Sequence, residues 1–594
     1  MLAVFLLTAD DRHVGIVPDG RQMVWTAVAM TESGQLGQAR GRDFTYPREK
    51  GDSVSRFGMG MSLAQLPAAL FAPAVERRLG PATSQPLFLL APLALTLLAA
   101  IFAGMAAREL GGGERIAVLL TALGSPLAGY AAMEFSEPLQ AAALAAAFFC
   151  ALRGSGFAAG FAAGVAVLAK TSLLAVAPFA LLPLLARREQ IRRAAFGAAG
   201  PLALWLIFDI ARFGRPLAGY GGERFSHPLF DGLWRLLVGV DKGMIWFFPT
   251  LLVCIWIAVR KRDLATGAAL FTFAALLVIA AKWWAWHGAE GWGPRLLVPA
   301  VPLLAAVAAP FIASWPGVAR HGFVALSIAA NVLPLIQHPT PVATLVNSST
   351  WPVVDEATAS RIADYARLGN RVAPDGVLAT IPEASAFVVY PWFIRTTWNA
   401  PDPNGLASPP WISRRPDIRP EVSPLPAVFT IISPRQWRFL GRGFAAGELQ
   451  RQYAAVYDEA LLDQVIRAQQ LGNGREALRL AQRLDELAPS ADSAVMMMES
   501  YRLLGMQPAA QDYLGSLARE RRADPRINVV IALFEREKGN EESARRFLGE
   551  AARQLPGTPA ALAVTRPMET WPRSLAAMTA PPSPLAPPAG RGWP

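Results

Sequence analysis

From Leu87 to Leu335 the chain is nearly continuously apolar, broken only by short loops and small clusters of arginine and lysine. Hydrocarbon offers no partner for backbone N–H and C=O groups, so a stretch of this kind must fold as helices that cross a membrane. One crossing takes roughly 20 apolar residues, fewer where neighbouring helices shield it. On that ruler spans are expected near 84–107, 115–134, 137–152, 155–170, 171–186, 194–212, 244–259, 264–282, 296–315 and 322–338, about ten in all. The opening MLAVFLLTA is too short for a full span and lacks the basic flank of a signal peptide, so it reads as the end of a first span that begins upstream. Only 17% of residues are charged, against about 25% in soluble chains, which fits a membrane protein. The expected fold class is all-α, a polytopic transmembrane helix bundle with further modules attached.

Alternating these spans puts Arg108 and Arg115, Arg153, Arg187 to Arg193, Arg260 to Arg262, and Arg320 on one face, which the positive-inside rule makes cytoplasmic. Four pieces then lie outside: Asp10 to about Gln85, Phe213 to Gly243, Trp283 to Arg295, and everything after about His338. A net charge of +11 invites nucleic acid, but the basic residues sit between apolar runs, where topology accounts for them. Nucleic acid is therefore excluded as a partner. The two cysteines, Cys150 and Cys254, fall inside apolar runs and read as small core residues, not as a disulfide or a metal site.

The first 340 residues form the membrane domain. Residues 341–446 are rich in Pro and Trp, with short β-prone pieces such as AFVVYPWFI and AVFTIIS, and read as a small extracytoplasmic mixed module or linker. Within 447–562 the pairs Leu471-Gly472, Leu504-Gly505 and Lys538-Gly539 recur at 33 and 34 residues, each followed by an alanine (Ala477, Ala510, Ala544). That period resembles the tetratricopeptide repeat, whose small residues let paired helices pack closely. A generic array of helical hairpins is the plainer reading. The repeats are expected to stack on themselves and not on the membrane bundle, and the Pro-rich 563–594 tail is expected to be disordered.

Chemistry is sought in the outer pieces. Asp19, in Pro18-Asp19-Gly20-Arg21, is a carboxylate at the water boundary, placed to take a hydroxyl proton or hold a divalent cation; Asp-Gly is also a common turn pair. Asp10-Asp11 is a second acidic pair beside the apolar opening. Glu134 and Glu137 stand in Glu134-Phe135-Ser136-Glu137-Pro138, where helix capping is the plainer role. Lys170, before Thr171-Ser172, either snorkels to headgroups or holds a lipid phosphate. The loop Trp283 to Arg295 is Trp-rich, as an aromatic belt would be. A belt has no use for His287, Glu290 and Arg295 in one glycine-rich loop, so a sugar or phosphate site competes with it.

Read in order, Pro18-Asp19-Gly20, RFGMGMSLAQLP from Arg56, FSEP, LAKTS, RFGRPLAGYG, GVDKGMIWFFP and the Trp-rich loop ending WGPR resemble bacterial membrane glycosyltransferases of the GT-C class, in particular the protein-mannosyltransferase-like, phospholipid-carrier-dependent enzymes. The likeness covers roughly 10–340. It implies a hexosyltransferase of the bacterial inner membrane that moves a sugar from a polyprenyl-phosphate donor to an acceptor on the outer side. Asp19 and Glu137 would be the catalytic acids, Lys170 and Arg295 the donor-phosphate holders, and Arg56, His287 and Glu290 substrate contacts. A divalent cation is allowed but not demanded, and a protein partner is allowed through the repeats. Two rivals stand beside this. A lipid-linked-sugar flippase would favour ionisable groups near the midplane or broken helices, and Asp209 is the main acid within a span. A non-catalytic repeat scaffold would leave the polar, glycine-rich outer loops without a purpose.

Overall fold

A computed structural model describes residues 18–38, 45–48, 52–79, 84–217, 224–288, 291–336, 385–387, 390–391, 456–487, 489–521, 524–556, 558–571 and 578–579. Asp10, Asp11 and Glu290 lie outside the described residues, as does nearly all of the expected 341–446 module.

The architecture is an all-α bundle. Among the described residues four helices are long and apolar enough to cross a membrane, at Gln85–Glu109, Arg188–Phe213, Leu264–Lys282 and Arg295–Ala313; Glu137–Leu152, Gly156–Ala169 and Thr250–Arg260 are shorter apolar helices. We number the main helices α1 (Pro18–Ser33), α2 (Met59–Leu79), α3 (Leu90–Glu109), α4 (Glu114–Ala122), α5 (Glu137–Leu152), α6 (Gly156–Ala169), α7 (Arg188–Phe213), α8 (Leu229–Val238), α9 (Thr250–Arg260), α10 (Leu264–Lys282), α11 (Val301–Ala313) and α12 (Gly317–Asn331). Leu144, Phe148, Phe248, Cys254, Leu303 and Leu304 are part of the central core, where α5, α9 and α11 meet. Glycines at every fourth position fasten α6 to α7. A Cβ on Gly160 would lie 1.8 Å from the Ala194 carbonyl, and one on Gly197 would lie 2.0 Å from that of Phe157. Such small-residue rows let membrane helices approach backbone to backbone, where lipid offers no hydrophobic drive for association.

Several expected spans are broken: 244–259 divides into Met244–Phe247 and Thr250–Arg260, and 322–338 falls on Gly317–Asn331 and Leu333–Ile336. Residues 115–134 divide into α4 and the short helix Leu127–Tyr130, and 171–186 divide into Thr171–Leu174, Ala177–Ala180 and Leu182–Ala186. Pro126, Pro178 and Pro183 fall at or inside the starts of these pieces, where a missing N–H and a fixed φ end one helix and open another. Conversely, α1 and α2 lie in what was expected to be a loop. Their mixture of apolar and polar residues hides them from a span count, and α2 also carries Pro67 and Pro73. Between them runs a small antiparallel sheet of β1 (Gly37–Gln38), β2 (Thr45–Pro47) and β3 (Ser53–Ser55), in the order β1-β3-β2, with Val54 opposite both Gly37 and Tyr46.

After the bundle come three helix pairs: α13 (Val456–Gln470) with α14 (Gly474–Leu487), α15 (Ala491–Leu503) with α16 (Gln507–Glu520), and α17 (Pro525–Glu537) with α18 (Glu541–Gln554). Gly472, Gly505 and Gly539 all adopt positive φ at the turn within each pair, which is why the sequence repeats a glycine there. Ala477, Ala510 and Ala544 are buried one turn further on. Two expectations fail here. The repeats do not stack only on themselves: Leu461 and Val465 of α13 and Leu480 and Leu484 of α14 share one core with Val24, Trp25 and Val28 of α1. Nor is the start of the tail structureless, because Trp571 is buried against the last pair, with Arg536 Nη1 donating to its carbonyl at 3.1 Å.

Candidate active site

Three of the residues singled out in the sequence meet. Asp19 stands in the first turn of α1, Glu137 opens α5, and Arg295 opens the 3-10 turn Arg295–Ala300 that leads into α11. The Arg295 guanidinium pairs with Asp19 through Nη2 and with Glu137 through Nε, the latter at 2.9 Å. Its plane lies over the Phe135 ring, 4.2 Å from the centroid. Glu134 closes the cluster: a Cβ on Gly20 would touch Glu134 Cβ and Oε2, both at 3.1 Å. A side chain at that position would have to push Glu134 away by a few tenths of an ångström.

The surroundings hold Arg295 in place. Gly291 and Gly288 both lie close enough to it that an added Cβ would meet its side chain, at 2.8 and 3.1 Å. Lys242 Nζ donates to the Gly291 carbonyl at 2.8 Å, and the Tyr130 hydroxyl donates to the Trp292 carbonyl at 2.9 Å. The Trp-rich loop is therefore only in part a belt. Trp286 and Trp292 are buried, Trp286 against His227 and Trp292 donating to Asn331 at 3.1 Å, because both indoles pack into the bundle instead of facing headgroups. His287 is buried in the same loop. Burial first, then Lys242, His227 and Arg295, holds its imidazole down to about 3, so it is neutral at pH 7.

Arg295 satisfies one oxygen of each acid. Among the described residues, no partner meets Glu137 Oε2, and Glu137 is 1% exposed. Asp19 is the open side of the cluster, with 19% of its side chain exposed. Among the described residues no group of three or more His, Cys, Asp or Glu side chains is placed to hold a metal ion.

Lys170 is not in this cluster. It ends α6 and lines a cavity of about 270 Å³, close to the lower bound of small-molecule sites, roughly 300 Å³. Gln140, Lys170, Thr171 and Ser172 form its polar part. Its apolar wall includes Leu276, Ile279, Ala280 and Trp283, at the end of α10. Gln140 lies one turn beyond Glu137 on α5, and Leu296, also in the lining, follows Arg295. The cavity and the ionic cluster are thus adjacent. Leu217 at the cavity rim has a positive φ of 61°, rare outside glycine, and its N–H donates to buried Asp209 at 2.7 Å.

Arg56 follows β3. Arg212 Nη1 donates to the carbonyls on either side of it, Ser55 at 3.1 Å and Phe57 at 2.5 Å, and Gly58 abuts the Ala169 carbonyl just before Lys170. Among the described residues Arg56 Nε is buried with no partner. Sequence reasoning did not single out Lys242 or Tyr130. Lys242 stood in the GVDKG motif, which gave a signal; Tyr130 lay in an apolar run, which gave none.

No protein-family model matches the chain, and no curated protein matches it. Among solved structures it is similar to ArnT from Cupriavidus metallidurans, crystallised bound to undecaprenyl phosphate and in the apo state. Identity is 15% and 16% respectively, each with a TM-score of 0.42 over 80% of this chain and 78% of that chain. A likeness that weak decides neither the fold nor the chemistry, which rest on the residues described above.

Proposed function

We propose that this chain is a membrane glycosyltransferase, which takes a sugar from a polyprenyl-phosphate donor and passes it to an acceptor hydroxyl on the outer side of a bacterial inner membrane. The observation that carries the reading is the meeting of Asp19, Glu137 and Arg295, brought from positions far apart in the chain, beside a cavity with a basic, hydroxyl-lined end and an apolar wall. An anionic lipid phosphate wants that pairing of surfaces, because its head needs fixed positive charge and its isoprenoid chain needs hydrocarbon.

In this reading Lys170, with Thr171 and Ser172, holds the donor phosphate, and the end of α10 receives the lipid chain. Asp19 accepts the proton as the acceptor oxygen attacks the anomeric carbon. The bond from that carbon to phosphate oxygen breaks, and polyprenyl phosphate leaves with the electron pair. Arg295 orients both acids and steadies the negative charge that develops on the leaving phosphate, its more exposed link, to Asp19, giving way to the donor. Glu137 keeps the guanidinium in place from the buried side. Arg56 and neutral His287 contact the sugar or acceptor, with Glu290 a further contact. The helix pairs, which we read as tetratricopeptide repeats, lie on the same outer side.

A photoreactive polyprenyl-phosphate analogue tests the donor site. Crosslinks are expected in 168–174 and 276–283, and Lys170→Ala is expected to weaken capture roughly tenfold, the loss of one charge-assisted contact. Capture elsewhere, or capture indifferent to Lys170, contradicts the assignment. One observation favours a second reading, lipid transport: the segment after Lys170 is broken into three short helical pieces. Movement of a labelled lipid-linked sugar across proteoliposomes, with no transfer to any acceptor, would favour that reading.

A further inference from the structure

We infer that the repeat domain is a second support for the acid-bearing helix, and that Arg467 and Arg483 are positioning residues acting on Asp19 through α1. The catalytic role of Asp19 in this inference rests on the transferase reading; the mechanical coupling does not.

Helix α1 is held at both ends by different parts of the chain. Its first turn is fixed by Arg295 and by Glu134 packed against Gly20. Its last turn is fixed by the repeats. Arg483 Nη1 meets Glu32 Oε2 at 2.9 Å, Arg479 Nη2 donates to the Glu32 carbonyl at 2.8 Å, and Ser33 Oγ donates to Gln464 Oε1 at 3.3 Å. Just beyond, Arg467 ties in the small sheet. It pairs with Asp52 at 2.9 Å and donates to the Gly37 carbonyl at 3.2 Å, while Arg48 holds Asp52 from the other side. The Arg467 and Asp52 side chains are 6% and 1% exposed, so this ion pair is shielded from solvent, where surface pairs lose most of their strength. Between the two ends, Val24, Trp25, Ala27 and Val28 are buried in the core shared with α13 and α14.

The consequence follows from length. Sixteen residues of helix span about 24 Å, and a helix is stiff over that distance. A tilt at the repeat end is therefore felt at Asp19, and a displacement of about 1 Å at a reacting group is enough to cost on the order of a hundredfold in rate. A repeat domain attached only for recruitment would need none of these buried contacts to α1.

The test uses the full-length protein in lipid nanodiscs, with Arg483→Glu, Glu32→Arg and the double reversal, Arg467→Met as an independent break, and Arg526→Met as a control. Arg526 pairs with Asp492, half exposed and within the repeats themselves. Two quantities are read: amide exchange of the 18–33 peptide, and kcat and donor KM for sugar transfer. Each single reversal and Arg467→Met are expected to speed exchange in 18–33 at least tenfold, with 139–152 and 264–282 unchanged. The double reversal should restore protection, and Arg526→Met should change nothing. The kcat should fall tenfold or more wherever exchange rises, while donor KM stays within twofold. Unaltered exchange in 18–33, equal acceleration in all peptides, or a double reversal that rescues nothing overturns the coupling. Altered exchange with unchanged kcat overturns the positioning role. If exchange behaves as expected but the wild type transfers no sugar, the mechanical support stands and the transferase reading falls.

Discussion

At Arg295 two carboxylates share one guanidinium, and the two are not equivalent. Glu137 is 1% exposed and Asp19 19% exposed on their side chains. Arg295 keeps the other acid whichever is removed, so the two losses differ in shielding: an ion pair held away from solvent is worth more than a partly hydrated one. Glu137→Gln is therefore expected to lower the melting temperature clearly, and Asp19→Asn to shift it only slightly; thermal melting of the purified variants compares them. Equal shifts would contradict the division of labour between a structural and a reacting acid. The sequence pointed to Asp19, Glu137 and Arg295 one at a time, because a charge beside a span boundary is conspicuous in apolar surroundings. Their pairing was not legible. It depends on how α1, α5 and the turn before α11 pack, and no local pattern records that. Lys170 illustrates the limit: it was grouped with Arg295 by chemistry, yet geometry sets it in the neighbouring cavity.

At the scale of elements, the apolar helices were read nearly to the residue where the run is uninterrupted, as at Glu137–Leu152 and Leu264–Lys282. The reading failed where prolines divide an apolar run and at α1 and α2, whose apolar stretches are short or interrupted by polar residues and, in α2, by two prolines. Helix α1 shows an apolar face plainly once its partners are known: Val24, Trp25 and Val28 turn toward the repeats. The contact between α6 and α7 carries its own prediction. A side chain at Gly160 has no room against the Ala194 backbone, so Gly160→Leu must drive the helices apart. Loss of monodisperse protein on size exclusion is the expected outcome. Gly200 of α7, with open space where a Cβ would go, provides the control: Gly200→Ala should be tolerated. A well-behaved Gly160→Leu variant would mean that the two helices do not meet there.

For the whole molecule, side and chemistry are linked. The repeats touch α1 and the small sheet, and the proposed function puts the acid and the C-terminal domain together on the outer side of the membrane, the side the arginine clusters avoid. A reporter active only in the cytoplasm, fused after Thr565, is expected to be silent; an active one would invert the topology and move the site to the wrong face. The period of the repeats was legible in sequence, because turn glycines are local signals. The docking of repeats on α1 was not, because it joins surfaces more than 400 residues apart. The central claim, that Asp19 serves sugar transfer from a lipid phosphate, is tested most directly by following labelled sugar from a polyprenyl-phosphate donor with purified wild-type protein and Asp19→Asn, melting measured alongside. Transfer by the wild type, reduced roughly a hundredfold or more in the variant at near-unchanged melting temperature, is the predicted result. Wild-type rates from Asp19→Asn, or no transfer by the wild type from any such donor, would contradict it.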